Sequence, residues 1–147
     1  MRDIDKIDFY DFNFNGHYLS EFGGIVADNE GGKITYSLLP EREYVINHPF
    51  ECDSTFVFKS RLKPRIWEVP VFFDDLDYAG IRKIAGWLNS PTTSQFFYKG
   101  DSLMINARIN SEAINLGTYS GQEGLTKLQF IAHDPYYYDI YTGEKFI

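Results

Sequence analysis

Asp74-Asp75-Leu76-Asp77-Tyr78-Ala79-Gly80-Ile81-Arg82-Lys83-Ile84-Ala85-Gly86-Trp87-Leu88-Asn89-Ser90-Pro91 is the one stretch of this chain that reads as a helix. Tyr78, Ile81, Ile84, Ala85 and Leu88 recur at helical spacing and mark an apolar stripe about three turns long. Asp74, Asp75 and Asp77 bring capping oxygens and negative charge to the N-terminal end. Pro91 cannot continue the hydrogen-bond ladder and pushes Ser90 out of the helical region. Gly80 and Gly86 each cost about 1 kcal/mol against alanine, so the isolated segment would hardly be helical. Its order must come from packing. The stripe predicts burial of Ile81, Ile84 and Leu88 on a sheet, with Trp87 at the edge.

Outward from this segment, both flanks read as strands. On the N-terminal side, Phe12 and Phe14 alternate with Asp11 and Asn13, and Asn15-Gly16 is the strongest short hairpin signal. His17, Tyr18 and Leu19 begin the return, and Gly23-Gly24 reads as a bend or bulge before a short strand. Residues 28–32 read as a loop and 33–38 as a strand, which Pro40-Glu41-Arg42-Glu43 breaks. Tyr44-Val45-Ile46 and 55–59 read as further strands around a loop at 47–53, and 61–65 as a basic turn. Trp67, Val69, Val71 and Phe73 alternate through 66–73, where Pro70 argues for an edge or a bulge. Beyond the helix, 95–98, 103–109, 113–119 and 125–132 read as strands, with Leu128, Phe130 and Ala132 on one face. The expected fold is mainly β with one α-helix. It is an antiparallel β-sandwich or split barrel in a single domain over 1–147, with an extended hairpin or arm around 39–62.

Composition narrows the function. The chain has 147 residues, 44% of them hydrophobic and 18% aromatic, enough for one domain with aromatics to spare. Its 21 acidic and 14 basic residues give a net charge of −7, which argues against free nucleic acid as a direct ligand. A single cysteine, Cys52, rules out an internal disulfide framework and a cysteine-rich zinc site. No apolar run approaches a membrane span, so no membrane insertion is expected, and residues 1–6 lack an apolar signal region.

Candidate chemistry is sparse. His17, His48 and His133 are far apart, on a turn, a loop and a strand end, and their spacing suggests no metal or catalytic cluster. His133-Asp134 reads as a solvated strand end rather than half of a hydrolase pair. Cys52 and His48 share a proline-containing loop with no evident orienting partner. The Asp74, Asp75 and Asp77 cluster lacks the glycine and terminal glutamate of a calcium loop. No catalytic, cofactor-binding or metal residue is expected. Phe9, Tyr10, Phe12, Tyr136, Tyr137, Tyr138 and Tyr141 exceed what a small domain simply hides; they either build a subunit interface or close the base of the core.

Several of these residues, taken together, resemble phage distal tail proteins, the hub components of long non-contractile tails. The resemblance rests on Phe12-Asn13-Phe14-Asn15-Gly16, the acidic glycine bend Ser20-Glu21-Phe22-Gly23-Gly24, and the basic residue before the alternating strand at 65–73. It continues in Ile84-Ala85-Gly86-Trp87-Leu88 and in the closing Phe130-Ile131-Ala132-His133-Asp134-Pro135-Tyr136-Tyr137. It covers the N-terminal ring-forming domain; the galectin-like domain that many members add has no counterpart before Ile147. The family's glycine-rich segment after the third strand is replaced here by Asn47-His48-Pro49-Phe50-Glu51.

The resemblance implies a non-enzymatic virion structural protein without a cofactor. Its partners would be copies of itself in a six-fold ring, the tail tube protein, and tip or baseplate proteins. DNA would pass through the lumen unbound, and the 39–62 arm would close the ring. The location would be the distal end of the tail, after synthesis in the host bacterial cytoplasm. An acidic lumen would suit DNA passage, with Asp28, Glu30 and Glu123 as loop candidates, although the same charge would also keep a subunit soluble. The alternatives are a stand-alone β-sandwich carbohydrate-binding module with surface Tyr and Trp platforms, and a small cell-wall hydrolase.

Overall fold

A computed structural model describes the backbone of residues 6–27, 38–47, 56–110, 117–119 and 123–147. In chain order the elements are β1 (Asp8–Phe14), β2 (His17–Tyr18), a 3-10 turn (Leu19–Phe22), β3 (Gly24–Val26), β4 (Arg42–Asn47), β5 (Phe56–Leu62) and β6 (Arg65–Phe73). They continue as α1 (Tyr78–Leu88), β7 (Ser94–Lys99), β8 (Leu103–Ile109), β9 (Gly117–Tyr119), β10 (Glu123–Ala132), β11 (Tyr137–Asp139) and β12 (Lys145–Phe146). Among the described residues the fold is mainly antiparallel β with one α-helix, and part of the sheet curls into a half-barrel, as expected of a sandwich or split barrel. The main sheet runs β2-β1-β7-β8-β10-β6-β3, with β11 beside β8, β12 beside β11 and β9 beside β10. β4 and β5 form a separate two-stranded sheet.

Asn15-Gly16 makes the hairpin that its sequence announces. Both residues have positive φ, 52° and 80°, and Phe14 faces His17 across the turn. The glycine bend is a 3-10 turn rather than a bulge: the Gly23 amide donates to the Ser20 carbonyl and β3 starts at Gly24. A Cβ on Gly24 would lie 2.6 Å from Leu19 Cδ1 and 2.8 Å from Phe73 Cε1, so β3 approaches its neighbours as only glycine allows.

The core is an aromatic stack. Phe12 and Phe14 of β1, Phe96 of β7, Phe130 of β10 and Trp67 of β6 converge with ring centroids 4.8–5.7 Å apart where they touch. The alternation over β6 holds throughout, with Trp67, Val69, Val71 and Phe73 buried. Arg65 is in phase with them and is 1% exposed, so it belongs to β6 and not to a basic turn.

Two further strand readings need correction. Arg42 and Glu43 belong to β4 rather than breaking a strand. Pro70 does not bulge β6, which pairs continuously with β10 through Pro70; it takes the edge alternative, at a point where the other side of β6 carries no ladder pair. β3 covers only Val71–Phe73, and the Ala27 amide donates to the Pro70 carbonyl. Since the N and O of one strand residue point to the same neighbour, the missing N–H faces the side where β3 has just ended, and no ladder bond is lost.

The helix begins later than the sequence stretch and is rotated. Asp77 is its N-cap, its side chain accepting from the Gly80 amide at 2.6 Å. Ile84 and Trp87 are the buried residues, Ile81 and Leu88 are only half-buried, and Tyr78 is 76% exposed. At 100° per residue this turns the inward face by roughly a quarter turn toward Trp87. The cause is the indole. Its ring lies 4.6 Å from Phe22 and 5.9 Å from Phe12, and its Nε1 donates to the Phe14 carbonyl at 2.6 Å. Tryptophan brings more buried area than any aliphatic residue on the helix, together with an N–H that needs a partner.

The readings at 28–37, at 48–55 including His48 and Cys52, and at 111–116 lie outside the described residues.

Candidate functional site

Among the described residues no grouping of three or more His, Cys, Asp or Glu side chains could hold a metal ion. His17 Nδ1 lies 3.5 Å from Glu21 Oε1 on the surface, and His133 Nε2 accepts from Arg108 Nε at 3.0 Å. The two histidines are thus engaged separately, on β2 and after β10. The acidic corner before α1 serves the backbone: Asp74 Oδ1 accepts from the Asp75 amide and Asp77 caps the helix.

The terminal aromatics divide. Phe12 is fully buried, and Phe9 and Tyr137 pack against the core, with Phe9 5.1 Å from Tyr98. The Tyr137 ring covers the buried Arg65 guanidinium at 5.1 Å, while Arg65 Nε donates to the Pro135 carbonyl at 3.2 Å. That pair fastens the chain after β10 onto β6 and is the buried polar feature that sequence reasoning missed. Period-2 alternation was the available signal, since Arg65 precedes Trp67 and Val69 on the same face. Tyr136 stacks under Lys145 at 3.9 Å and the Tyr138 hydroxyl donates to Asp134. Tyr10 and Tyr141 are 41% and 86% exposed. Closing the core therefore accounts for Phe9, Phe12 and Tyr137, and leaves Tyr10 and Tyr141 at the surface.

The most distinctive feature is the β4–β5 hairpin. Its strands pair with each other from Arg42↔Leu62 to Asn47↔Phe56, with an irregularity between Val45 and Ile46. The Lys63 amide donates to the Glu41 carbonyl at 2.7 Å and closes its base. One face carries two ion pairs, Arg61 Nε to Glu43 Oε2 at 2.6 Å and Lys63 Nζ to Glu41 Oε2 at 3.7 Å. The Arg61 hydrogen bond and charge hold the Glu43 carboxyl below its ordinary range. Tyr44 on the other face is 55% exposed, and Leu38 and Leu39 at the base are 78% and 67% exposed. Exposed ion pairs of this kind contribute little to stability, and a lone two-stranded hairpin is marginal in water.

No protein-family model matches the chain. No curated protein matches it either. Among solved structures, the crystal structure of SPP1 Dit superimposes on 90% of this chain with a TM-score of 0.66 at 17% sequence identity. The chain has a Dit-like fold. SPP1 Dit is described as a paradigm of the hub adsorption apparatus in phages that infect Gram-positive bacteria. This chain spans about half of the Dit protein's length, 53%. The Dit likeness agrees with the architecture expected from the sequence: antiparallel strands on both sides of one helix.

Proposed function

We propose that this chain is a structural subunit of a phage tail hub, located at the distal end of the tail in the virion. The observation that carries this reading is the pairing of a hub-protein fold with a hairpin that leaves the main sheet. In this reading six copies close into a ring that joins the tail tube to tip or baseplate proteins. The β4–β5 arm bridges neighbours, DNA crosses the lumen without binding, and the subunit does no catalysis. The arm's exposed Tyr44, Leu38 and Leu39 support a protein partner, since aromatic and aliphatic side chains anchor interfaces. The net charge of −7 supports passage of DNA without adhesion. Of the lumen candidates, Asp28 and Glu30 lie outside the described residues and Glu123 begins β10. A carbohydrate platform fits less well: exposed Tyr44, Tyr78 and Tyr141 sit on the arm, the helix and the C-terminal turn.

Electron microscopy of the purified protein, paired with light scattering, tests the ring. Closed rings with a mass of about six chains are expected. A protein that stays monomeric up to the highest soluble concentration, or that forms only open filaments, would contradict the proposal.

A further inference from the structure

The β3–β6–β10 part of the sheet has a second face, turned away from the core. Strand registers set Ile25, Phe72 and Leu125 side by side in one row, and Ile66 beside Ile131 in another. Ile25 is 49% exposed, Leu125 40% and Ile66 51%. Between the rows lie the cross-strand neighbours Pro70 and Lys127, then Glu68 and Gln129. Ile25 and Leu125 thus flank the half-buried Phe72 in one apolar row on the outer sheet face, a continuity that isolated surface apolar residues lack.

One border of this face is acidic. The Asp74 amide donates to the Gly23 carbonyl at 3.1 Å, and Gly24 pairs with Phe73. The corner before α1 therefore sits beside the Ile25 row. Asp74, Asp75 and Asp77 in it are all exposed, and residues 72–81 contain no lysine or arginine.

The arm carries the complementary chemistry. Residues directly opposite in an antiparallel pair share a face. Glu41, Glu43, Arg61 and Lys63 thus share the face whose charges pair among themselves. Arg42, Tyr44, Ser60 and Leu62 share the other, where Arg42 Nη1 donates to the neutral Ser60 hydroxyl at 3.2 Å. That face holds a guanidinium, an exposed tyrosine and a leucine, and no carboxylate. A strand of six or seven residues reaches about 20 Å, against about 10 Å across three paired strands.

We propose that the Ile25–Phe72–Leu125 row receives the Arg42–Tyr44 face of the hairpin of a second copy of this chain, with Arg42 directed to the acidic corner at Asp74, Asp75 and Asp77. The inference rests on the ring reading above and names the surface that takes the arm. Donor and acceptor patches differ, so the contact is head-to-tail, the kind whose repetition gives a ring where the rotation closes and a filament where it does not.

Cysteine cross-linking tests the pairing in a Cys52→Ser background. Mixed Tyr44→Cys and Leu125→Cys proteins should form a disulfide-linked dimer on mild oxidation. Tyr44→Cys mixed with Glu144→Cys, in the exposed C-terminal turn, should not. A chain carrying both Tyr44→Cys and Leu125→Cys should give a ladder up to the full oligomer. Separately, Leu125→Arg should raise the concentration needed for assembly at least about tenfold while the circular dichroism spectrum stays unchanged. If the parent protein assembles yet the Leu125→Cys mixture links no better than the Glu144→Cys control, the acceptor surface is wrong and the ring reading stands. If the parent protein is monomeric throughout, the ring reading fails and this inference falls with it.

Discussion

In the hairpin of β1 and β2, Phe12 and Phe14 are fully buried and the helix seals the turn, with Trp87 donating to the Phe14 carbonyl. In the hairpin of β4 and β5, Tyr44 is 55% exposed and Glu43 and Arg61 pair at the surface. Both are antiparallel ribbons that carry several aromatic residues, and both read as strands from local sequence alone. What separates them is what their side chains meet. The first hairpin contributes to the core that stabilises the body. In the second, Arg42, Tyr44, Ser60 and Arg61 lie at the surface.

The sharpest way to break this contrast is at the seal. Trp87→Ala removes the stacking with Phe22 and Phe12 and one buried hydrogen bond. It should cost about 3–5 kcal/mol in urea unfolding, as aromatic truncations in cores do. A loss below about 1 kcal/mol would place the indole outside the core.

A second comparison lies within the helix. Ile84→Ala should cost about 2–5 kcal/mol, and Ile81→Ala clearly less, because Ile84 is 8% exposed and Ile81 only packs partly against the core. Equal losses, or a larger loss at Ile81, would restore the stripe that the periodicity alone suggests.

The third effect is smaller and separates the regions by pH. Burial holds the Tyr137 phenol above its ordinary 10.0, against the opposing Arg65 guanidinium. A raised folded pKa gives stability that is intact below the unfolded value and is lost as pH rises through the folded one. Stability should therefore fall as pH rises above 10.0, and Tyr137→Phe should weaken that fall. Glu43 shifts the other way, held down by Arg61. Its stabilisation is present above the ordinary 4.5 and is lost as pH drops through the depressed value. Because the pair is exposed and screened, Glu43→Gln should leave acid unfolding unchanged. Global unfolding curves across pH read both effects; a marked acid shift for Glu43→Gln would tie the arm to the body.

Much of the architecture was legible in the sequence because it rests on short-range rules. Asn15-Gly16 dictates its turn, alternation from Trp67 to Phe73 dictates a half-buried strand, and Asp77 with Pro91 brackets the helix. What was not legible depends on partners far along the chain. The helix rotation is set by Phe12, Phe14 and Phe22, more than 60 residues from Trp87 in sequence. The burial of Arg65 depends on Tyr137 and Pro135, which arrive about 70 residues later. Pro70 is tolerated because of where β3 stops, which no local pattern records. The two unlike faces of the β4–β5 hairpin emerge only from the register of β4 on β5.

In the proposed ring the arm serves assembly and not the body. The Lys63 amide bonds to the Glu41 carbonyl, so residues 42–62 can be replaced by a two-residue Asn-Gly turn without opening the base. The decisive measurement is the mass of this shortened protein by light scattering, beside its thermal unfolding midpoint. The account predicts a folded monomer with a midpoint within about 5 °C of the parent, a shift equivalent to about 1 kcal/mol. A shortened protein that still forms the parent's closed oligomer would contradict it.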